Sequence, residues 1–290
     1  MIKQKNRMYF FLVLTLGASL FATCLASEIP GSARSLALGG VKASLVGPGL
    51  ESVMLANPAG LSQANSGIIL HYNNRFGFND YTDENLSLIW STPKIGLGFT
   101  HEKSGTAFRE MWQGSENENY WGNKHLGIGF GSKLKQLSFG FNLWRREEIV
   151  TLEEDSTWLG SLQTGIGADL GFSYQKGRWG AGFVYRNCAL AGSLGSDPQY
   201  NLGLRYGEDK SLAAYGDFVL SPNAYGDLEL TSLYGVEAWL SPQLAIRIGL
   251  DSAQMMTAGL GINKGRLQVD YAYRTHPMGI SHYLTTGFSF

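Results

Sequence analysis

From residue 67 to the end of the chain, apolar side chains recur at every second position. Two clear cases are Leu137, Phe139, Phe141 and Leu143, and Leu244, Ile246, Ile248 and Leu250. This spacing places successive side chains on opposite faces of a β-strand. The intervening positions are mostly Gly, Ser, Thr, Asn or charged residues. The pattern therefore predicts an all-β fold with one apolar face and one small, polar face.

The alternation falls into fourteen segments joined by two kinds of connection. The segments lie near residues 67–78, 83–92, 94–103, 121–132, 135–147, 161–175, 178–187, 199–207, 210–220, 227–240, 242–250, 254–263, 266–275 and 281–290. Tight polar turns such as Gln175-Lys176-Gly177-Arg178 alternate with longer connections, of which 104–120, 148–160 and 188–198 are the longest. Outer-membrane barrels show this alternation, with tight turns facing the periplasm and loops facing outward.

A membrane protein with this sequence would have to be a barrel. No segment after residue 26 approaches the roughly 20 apolar residues that a membrane helix needs. The face opposite the apolar one is rich in glycine, which suits a tightly filled barrel interior. These glycines are Gly127, Gly129, Gly131, Gly140, Gly165, Gly167, Gly171, Gly180, Gly182, Gly203, Gly249, Gly259 and Gly261. We predict a 14-stranded antiparallel transmembrane β-barrel with an N-terminal plug.

A soluble secreted all-β protein is the alternative to this fold. In a sandwich or a propeller the apolar face would be buried and the polar face wet, so alternation alone does not separate the two. Aromatic residues near the strand ends favour the membrane, because barrels carry aromatic girdles at both interfaces. These residues are Trp90 and Trp179 beside tight turns, and Trp121, Trp144 and Tyr273 nearer the loops.

Residues 1–26 have the pattern of a secretory signal peptide, with three basic residues before an apolar run from Met8 to Ala22. Cleavage before Ser27 is one reading, and a lipidated Cys24 is the other. Removing residues 1–26 leaves 20 basic against 24 acidic residues, a net charge of −4, with Cys188 as the one cysteine. This composition excludes an intramolecular disulfide framework and gives no indication of nucleic-acid binding.

Residues 27–66 interrupt the strand pattern and resemble a known N-terminal element. They contain Ala33-Arg34, then Leu38-Gly39-Gly40, and later Asn57-Pro58-Ala59-Gly60-Leu61, where Asn57-Pro58 predicts a turn. The stretch is similar to the start of the mature chain in the FadL family of fatty-acid-transporter barrels and in the related PorV and PorQ proteins of type IX secretion. The matching positions are Arg34, Gly39, Gly40, Asn57, Pro58, Ala59, Gly60 and Leu61.

That resemblance implies a segment folded inside the barrel as a hatch, whose movement in the fatty-acid transporters opens a path for hydrophobic ligands. It also implies outer-membrane lipid as a partner, residues 67–290 as the barrel, and a bacterial outer-membrane location. The chain ends on a strand with Phe290, which resembles the carboxy-terminal signature read by the barrel-assembly machinery.

Charged residues at inward-facing positions lead to a further hypothesis. If the apolar faces contact lipid, nine charged side chains point into the lumen, and both signs are present. They are Asp169, Arg186, Arg205, Asp217, Glu229, Glu237, Arg247, Asp270 and Arg274. Isolated burial of a charge is costly, so we expect pairs, with Glu237 near Arg247, and Asp270 and Arg274 on one strand face. We expect these charges to pin the plug through Arg34 and Asn57.

Catalytic and metal-binding patterns are weak in this sequence. The five histidines (His71, His101, His125, His276 and His282) have no metal-ligand or triad spacing, so no metal, no cofactor and no enzymatic activity are predicted. Acidic residues at 147–148 and 153–155 indicate a solvated loop tip or a cation site. The aromatic residues in and beside 104–120 indicate either a membrane anchor or a ligand contact.

Two functions follow as expectations. The first is passive uptake or transfer of a small hydrophobic or amphipathic compound through the plugged lumen. The second is a non-transporting partner barrel of a secretion system, in which loops are presented to exported proteins or other secretion components, as for PorV and PorQ.

Overall fold

The computed structural model describes residues 31–45, 54–74, 81–109, 116–154, 157–192, 198–223, 226–251, 255–276 and 279–290. The predicted signal peptide, with both readings of its processing, cleavage before Ser27 or lipidation of Cys24, lies outside these ranges. The strands are β1 Gly67–Asn74, β2 Tyr81–Ser91, β3 Ile95–Arg109, β4 Glu116–Leu134, β5 Leu137–Glu154, β6 Thr157–Lys176, β7 Trp179–Gly192, β8 Gln199–Gly207, β9 Leu212–Pro222, β10 Leu228–Ser241, β11 Leu244–Leu250, β12 Met256–Lys264, β13 Leu267–His276 and β14 Gly279–Ser289.

Each strand pairs antiparallel with its two neighbours in sequence, and β1 pairs with β14 to close the ring. In that closing pair Gly67 lies opposite Ser289, and Asn74 lies opposite His282. Closure satisfies the backbone groups that an open sheet would leave unpaired at its edges. The predicted 14-stranded antiparallel barrel is therefore confirmed.

The apolar side chains point away from the barrel interior. Leu97, Phe172 and Ile248 are 47%, 53% and 63% exposed, whereas neighbouring inward positions are buried. A soluble sandwich would bury these side chains between two sheets, so the soluble alternative is wrong. An apolar exterior around a closed barrel is the surface that a bilayer requires. Among the described residues, no helix is long and apolar enough to cross a membrane.

Two of the predicted loops are mostly strand. In the first, β3 continues to Arg109 and β4 starts at Glu116. In the second, β5 continues to Glu154 and β6 starts at Thr157. At 19, 18 and 20 residues, β4, β5 and β6 are longer than the roughly 9–11 residues that cross a bilayer. The extensions lack apolar alternation because they need only backbone pairing once they lie beyond the lipid. In the predicted loop 104–120, Met111 and Trp112 lie outside the described residues.

The aromatic girdle prediction holds for three residues and is wrong for Trp144. Trp90, Trp179 and Tyr273 are exposed near strand ends, but Trp144 is 3% exposed and faces the lumen. Its position has the opposite parity to Leu143, which faces outward. The side chain of Trp121 is not among those described. The alternation of side chains along β5, and not proximity to a loop, determines that Trp144 points inward.

Inside the barrel, the N-terminal segment makes one circuit of the wall. Helix α1, Ala33–Ala37, packs against β11 to β14, and the 3-10 helix Pro58–Ser62 packs against β4 to β6. Residues 42–44 lie between them against β7 to β9. The segment therefore passes the strands in reverse order before the chain enters β1.

Lumen glycines mark the places where this segment touches the wall. Added Cβ atoms at many of them would come within 3.0 Å of plug atoms. These glycines are Gly96, Gly129, Gly131, Gly140, Gly171, Gly182, Gly203, Gly235, Gly249 and Gly259. Several are direct cross-strand partners, including Gly131 with Gly140 and Gly140 with Gly171. They form a belt that we call the glycine belt, and it brings the plug backbone against the wall backbone.

Three glycines of the predicted inner face have another role. Gly127 makes room for the Trp144 ring, Gly261 for Arg247 and Asp270, and Gly167 lies beside Arg146. These glycines admit inward-pointing wall side chains. Gly96 and Gly235 contact the plug although they were absent from the predicted set.

We expect Gly203→Ala to destabilise the folded barrel by about 1–3 kcal/mol, the usual cost of overpacking. The new methyl group would meet the backbone of Ala43 and Ser44 as well as Asp217. Gly287→Ala is the matched control, because it also faces the lumen but its nearest neighbour would lie 3.5 Å away. The measurement is the temperature at which the detergent-purified barrel loses its heat-modifiable gel migration. Equal losses in both variants would contradict close plug contact at Gly203.

Candidate functional site

A chain of ion pairs connects the plug to the lumen wall. Arg34 donates from Nε and Nη2 to the two carboxylate oxygens of Glu237, at 2.9 and 2.7 Å. Glu237 also accepts from Arg247 Nε at 2.7 Å, and Arg247 donates to Asp270 at 2.6 Å. Glu237 and Arg247 are directly opposed across β10 and β11. Tyr215 adds a hydroxyl that donates to Glu237 at 3.1 Å.

A bidentate contact between Arg34 and Glu237 holds α1 against the wall. The guanidinium of Arg34 matches a carboxylate with two parallel donors. Glu237, Arg247 and Asp270 are almost fully buried, and each carries an opposite charge within hydrogen-bond distance. Buried charges need such partners, because an unpaired charge in the lumen would be strongly destabilising.

Both ends of α1 have further hydrogen bonds to the plug or the wall. Ser32 caps the start of the helix by accepting from Ser35 N, and Ala33 N donates to Thr285 Oγ1 at 2.8 Å. At the other end Thr257 Oγ1 donates to Ala37 O at 3.1 Å and accepts from Gly39 N at 3.0 Å. Gly39 has a φ of +80° and lies against the backbone of β10 and β11, so this position requires glycine on both counts.

Asp217 is the wall anchor for the middle of the plug. Its carboxylate accepts from three consecutive backbone amides, Lys42 N at 2.6 Å, Ala43 N at 2.7 Å and Ser44 N at 3.0 Å. Asp217 is fully buried. A single carboxylate therefore satisfies three plug donors that have no strand or helix partner.

A third anchor lies at the Asn57-Pro58 turn. Asn57 caps the 3-10 helix by accepting from Ala59 N at 3.0 Å, and it donates to Phe172 O on β6 at 3.2 Å. Arg186 on β7 donates to Leu55 O at 2.7 Å and also to Ala56 O. The Asn-Pro pair therefore forms a capped turn. The turn contacts the wall through two kinds of hydrogen bond. The Asn57 amide donates to a wall carbonyl, and Arg186 of the wall donates to plug carbonyls.

One stretch of plug and wall is apolar. Met54, Leu55, Leu61 and Ala64 pack with Ile69, Ile89 and Trp144 of the wall. Met54 and Leu61 fill the space over Gly96 and Gly129, and the Asn142 side chain of the wall also lies against Gly129. Met54 has a φ of +56°, a left-handed conformation that is uncommon for a residue other than glycine. We call this set the Met54 cluster.

The remaining predicted lumen charges lie away from the plug contacts described above. Asp169 accepts from Trp144 Nε1 at 2.7 Å and from Asn187 N at 3.0 Å. Arg205 pairs with Asp209 at 2.5 Å, beside a tight turn. Glu229 is half-buried near the loop end of β10.

Arg274 pairs with Asp251 at the loop end of β11. Asp270 is therefore not its partner, although both lie on one face of β13.

Sequence reasoning missed several residues of the site. Asp251, Arg146, Tyr215 and Trp144 all face inward and contact predicted lumen residues. Parity along β5 and β9 would have found Trp144, Arg146 and Tyr215, since each lies two residues from another inward position. Among the described residues, no group of three or more His, Cys, Asp or Glu side chains could hold a metal.

Inward side chains at the level of the plug and toward the loops are buried, including His71, Asn73, Asn85 and Ser87. At these positions the described plug and wall residues pack against one another, so we expect a solute to pass only when part of the plug moves. The polar anchors fix α1, residues 42–44 and the Asn57 turn. The side chains of the Met54 cluster make apolar contacts, while the carbonyls of Met54 and Leu55 accept from Asn142 Nδ2 at 3.0 Å and from Arg186 Nη2 at 2.7 Å.

Solved barrels of similar fold include several hydrophobic-compound channels. The monoaromatic hydrocarbon channel CymD matches with a TM-score of 0.63 and 16% identity, over 92% of this chain and 99% of that one. The toluene transporter TbuX of Ralstonia pickettii matches with 0.66 and 13%, over 91% and 99%. A FadL homologue of Pseudomonas aeruginosa matches with 0.56 and 11%, over 91% and 99%.

At these identities the likeness establishes the fold alone. It extends the resemblance seen in the N-terminal segment to the whole barrel. No protein-family model matches the chain, and no curated protein sequence matches it.

We expect Arg34→Gln to loosen the plug, because it leaves Glu237 with one cationic partner and removes the bidentate contact between α1 and the wall. The loss is on the order of 2 kcal/mol, typical of hydrogen bonds to charged groups. The measurement is conductance in planar bilayers, which should rise in mean level or in frequency of openings.

Arg178→Gln is the control for this prediction. It removes an arginine from an ion pair with Glu208 in which both side chains are more than half exposed. Such a pair contributes little, so conductance should stay at the wild-type level. Wild-type conductance in Arg34→Gln would contradict the role of the ion pair in holding the plug.

Proposed function

We propose that this chain is an outer-membrane channel for small hydrophobic compounds, in which the N-terminal segment is the gate. The observation that carries the proposal is the division of plug contacts into two kinds. Polar anchors hold α1, residues 42–44 and the Asn57 turn. In the Met54 cluster the side chains are held by apolar packing, and polar contacts reach only the backbone carbonyls of Met54 and Leu55. An apolar solute can replace apolar packing without leaving a charge unpaired.

The exterior and the fold support the membrane placement. Exposed apolar side chains cover the strands on the outside, as lipid contact requires. Barrels of this fold include proteins named as channels for monoaromatic hydrocarbons and as toluene transporters. The outer membrane is the place where a bacterium has barrels of this kind, and we assign the chain to it.

The Met54 cluster supports a route for the solute. Withdrawal of Met54 would expose a recess floored by Gly96, Gly98 and Gly129 and bounded by the Trp144 ring. Added Cβ atoms at Gly98 would lie 3.2 Å from Trp144 and 3.3 Å from Met54, so both side chains border the same space. A shallow recess next to an aromatic face suits a small, flat hydrocarbon better than a long acyl chain.

The strain at Met54 supports its movement. A residue held at a φ of +56° costs of order 1–3 kcal/mol, which the surrounding contacts must offset. A change of the Met54 backbone that withdraws the side chain from the recess would release that strain, at the cost of the hydrogen bond from Asn142 Nδ2 to Met54 O. Transport by this route is passive and involves no catalysis.

The two other predicted partners have different support. Phe290 is 57% exposed at the end of β14, and its backbone amide donates to Ser66 O, so we retain recognition by the barrel-assembly machinery as a proposal. A partner barrel of a secretion system has no support from the described residues or from the similar structures, and we do not propose it.

The direct test is uptake of radiolabelled toluene by cells that carry the chain in their outer membrane. We expect a faster initial rate than in cells with an empty vector, and no increase for a hydrophilic sugar of similar size. Equal toluene rates with and without the chain, at verified surface expression, would contradict the channel.

Met54→Ala tests the gate at the same time. Removal of the thioether side chain opens the recess, so the initial toluene rate should rise about two- to fivefold if movement of Met54 limits passage, as a barrier lowered by 0.4–1 kcal/mol would give. Leu36→Ala is the matched control, because Leu36 is an equally buried plug residue that packs with Ala272 and Tyr283. An equal increase in both variants would indicate general loosening and would refute a gate at Met54.

A further inference from the structure

The tight turns β2–β3, β4–β5, β6–β7, β8–β9, β10–β11 and β12–β13 lie at one end of the barrel. All of them except β10–β11 carry basic residues. The basic residues are Lys94, Lys133, Lys135, Lys176, Arg178, Lys210, Lys264 and Arg266. All eight are exposed, and we call them the basic turn rim. The same turns contain two acidic residues, Glu208 and Asp209, each of which pairs with an arginine. This end of the barrel is therefore strongly positive although residues 27–290 have a net charge of −4.

Exposed apolar side chains adjoin the basic turn rim. Leu134 lies between Lys133 and Lys135 and is 65% exposed, and Trp179 follows Arg178. Ile95 follows Lys94 and Leu267 follows Arg266, and both are exposed. Lysine and arginine stems beside exposed apolar residues and tryptophan are typical of the bilayer interface, where the stem lies along the apolar surface and the charge reaches the headgroups.

The distribution of the charges indicates what they contact. They are spread over the turns β2–β3, β4–β5, β6–β7, β8–β9 and β12–β13, and so around most of the circumference. A single protein partner would contact one sector of this ring. A lipid leaflet surrounds the whole barrel and meets every turn at the same height. Cationic side chains near a membrane surface attract anionic lipid.

We propose that the basic turn rim binds anionic phospholipid headgroups of the leaflet that faces the turns. The ring would enrich phosphatidylglycerol-type lipids around the barrel and fix its height in the membrane. The proposal rests on the membrane placement and not on transport, so a failed toluene assay would leave it standing.

The experiment compares lipid preference in reconstituted vesicles. The full chain is inserted into phosphatidylcholine vesicles that contain either brominated phosphatidylglycerol or brominated phosphatidylcholine, and quenching of tryptophan fluorescence gives the relative binding constant of the two lipids. For the wild type we expect a preference for phosphatidylglycerol on the order of threefold. We expect this preference to be lost in 1 M salt, where the Debye length falls to about 3 Å.

Four substitutions in two turns, Lys133→Gln, Lys135→Gln, Lys264→Gln and Arg266→Gln, should bring the preference close to one. The matched control is Lys124→Gln with Arg145→Gln, two exposed outward residues toward the loop end, and it should retain the wild-type preference. Heat-modifiable migration verifies folding, and Lys264→Gln with Arg266→Gln alone is the smaller variant, with a partial decrease expected.

Two results would overturn the proposal. One is a wild-type preference of about one, and binding of soluble polyglutamate by the detergent-solubilised wild type would then assign the rim to an acidic protein. The other is a preference that persists in the rim variants.

Discussion

The close approach of plug backbone to wall backbone is the constraint on which the rest of this structure depends. This approach is possible because the wall carries glycine where the plug passes, so no wall Cβ atoms separate the plug backbone from the wall backbone. With the backbones in contact, plug amides come within hydrogen-bond distance of wall side chains, as at Asp217. The belt also leaves little room for water. Charged anchors such as Glu237 are therefore buried and must be paired.

The polar and the apolar contacts of the plug differ in the free energy that a solute would have to supply to displace them. Displacing α1 would separate Arg34 from the buried carboxylate of Glu237, which is costly. Displacing the Met54 side chain would exchange one set of apolar contacts for another. A gate built in this way discriminates by polarity, since hydrophobic molecules can take the place of the thioether and polar molecules cannot. Selectivity then follows from which part of the plug is held by charge.

Most of the barrel could be predicted from the sequence because a lipid-facing strand has a strict period of two. The pattern gave the number of strands and the outward residues, and it placed Glu237 opposite Arg247. It failed where lipid no longer imposes the period, as in the extensions of β5 and β6 beyond the bilayer. It also could not locate partners such as Asp251 for Arg274, because they depend on strand register and side-chain reach. The path of the plug came from the resemblance, and the glycine-rich face indicated only that something lies close to it.

The reverse order in which the plug passes the strands has a consequence for biogenesis. Helix α1 is among the first parts of the chain to be synthesised, yet its partners lie on β11 to β14, the last parts. Its ion pair with Glu237 joins residues 203 positions apart. No contiguous N-terminal portion of the chain can seat the whole segment, because the surfaces that receive its start do not yet exist. Seating of the plug and closure of β1 on β14 are thus coupled late events, and a truncated product would expose an unfilled interior to periplasmic proteases.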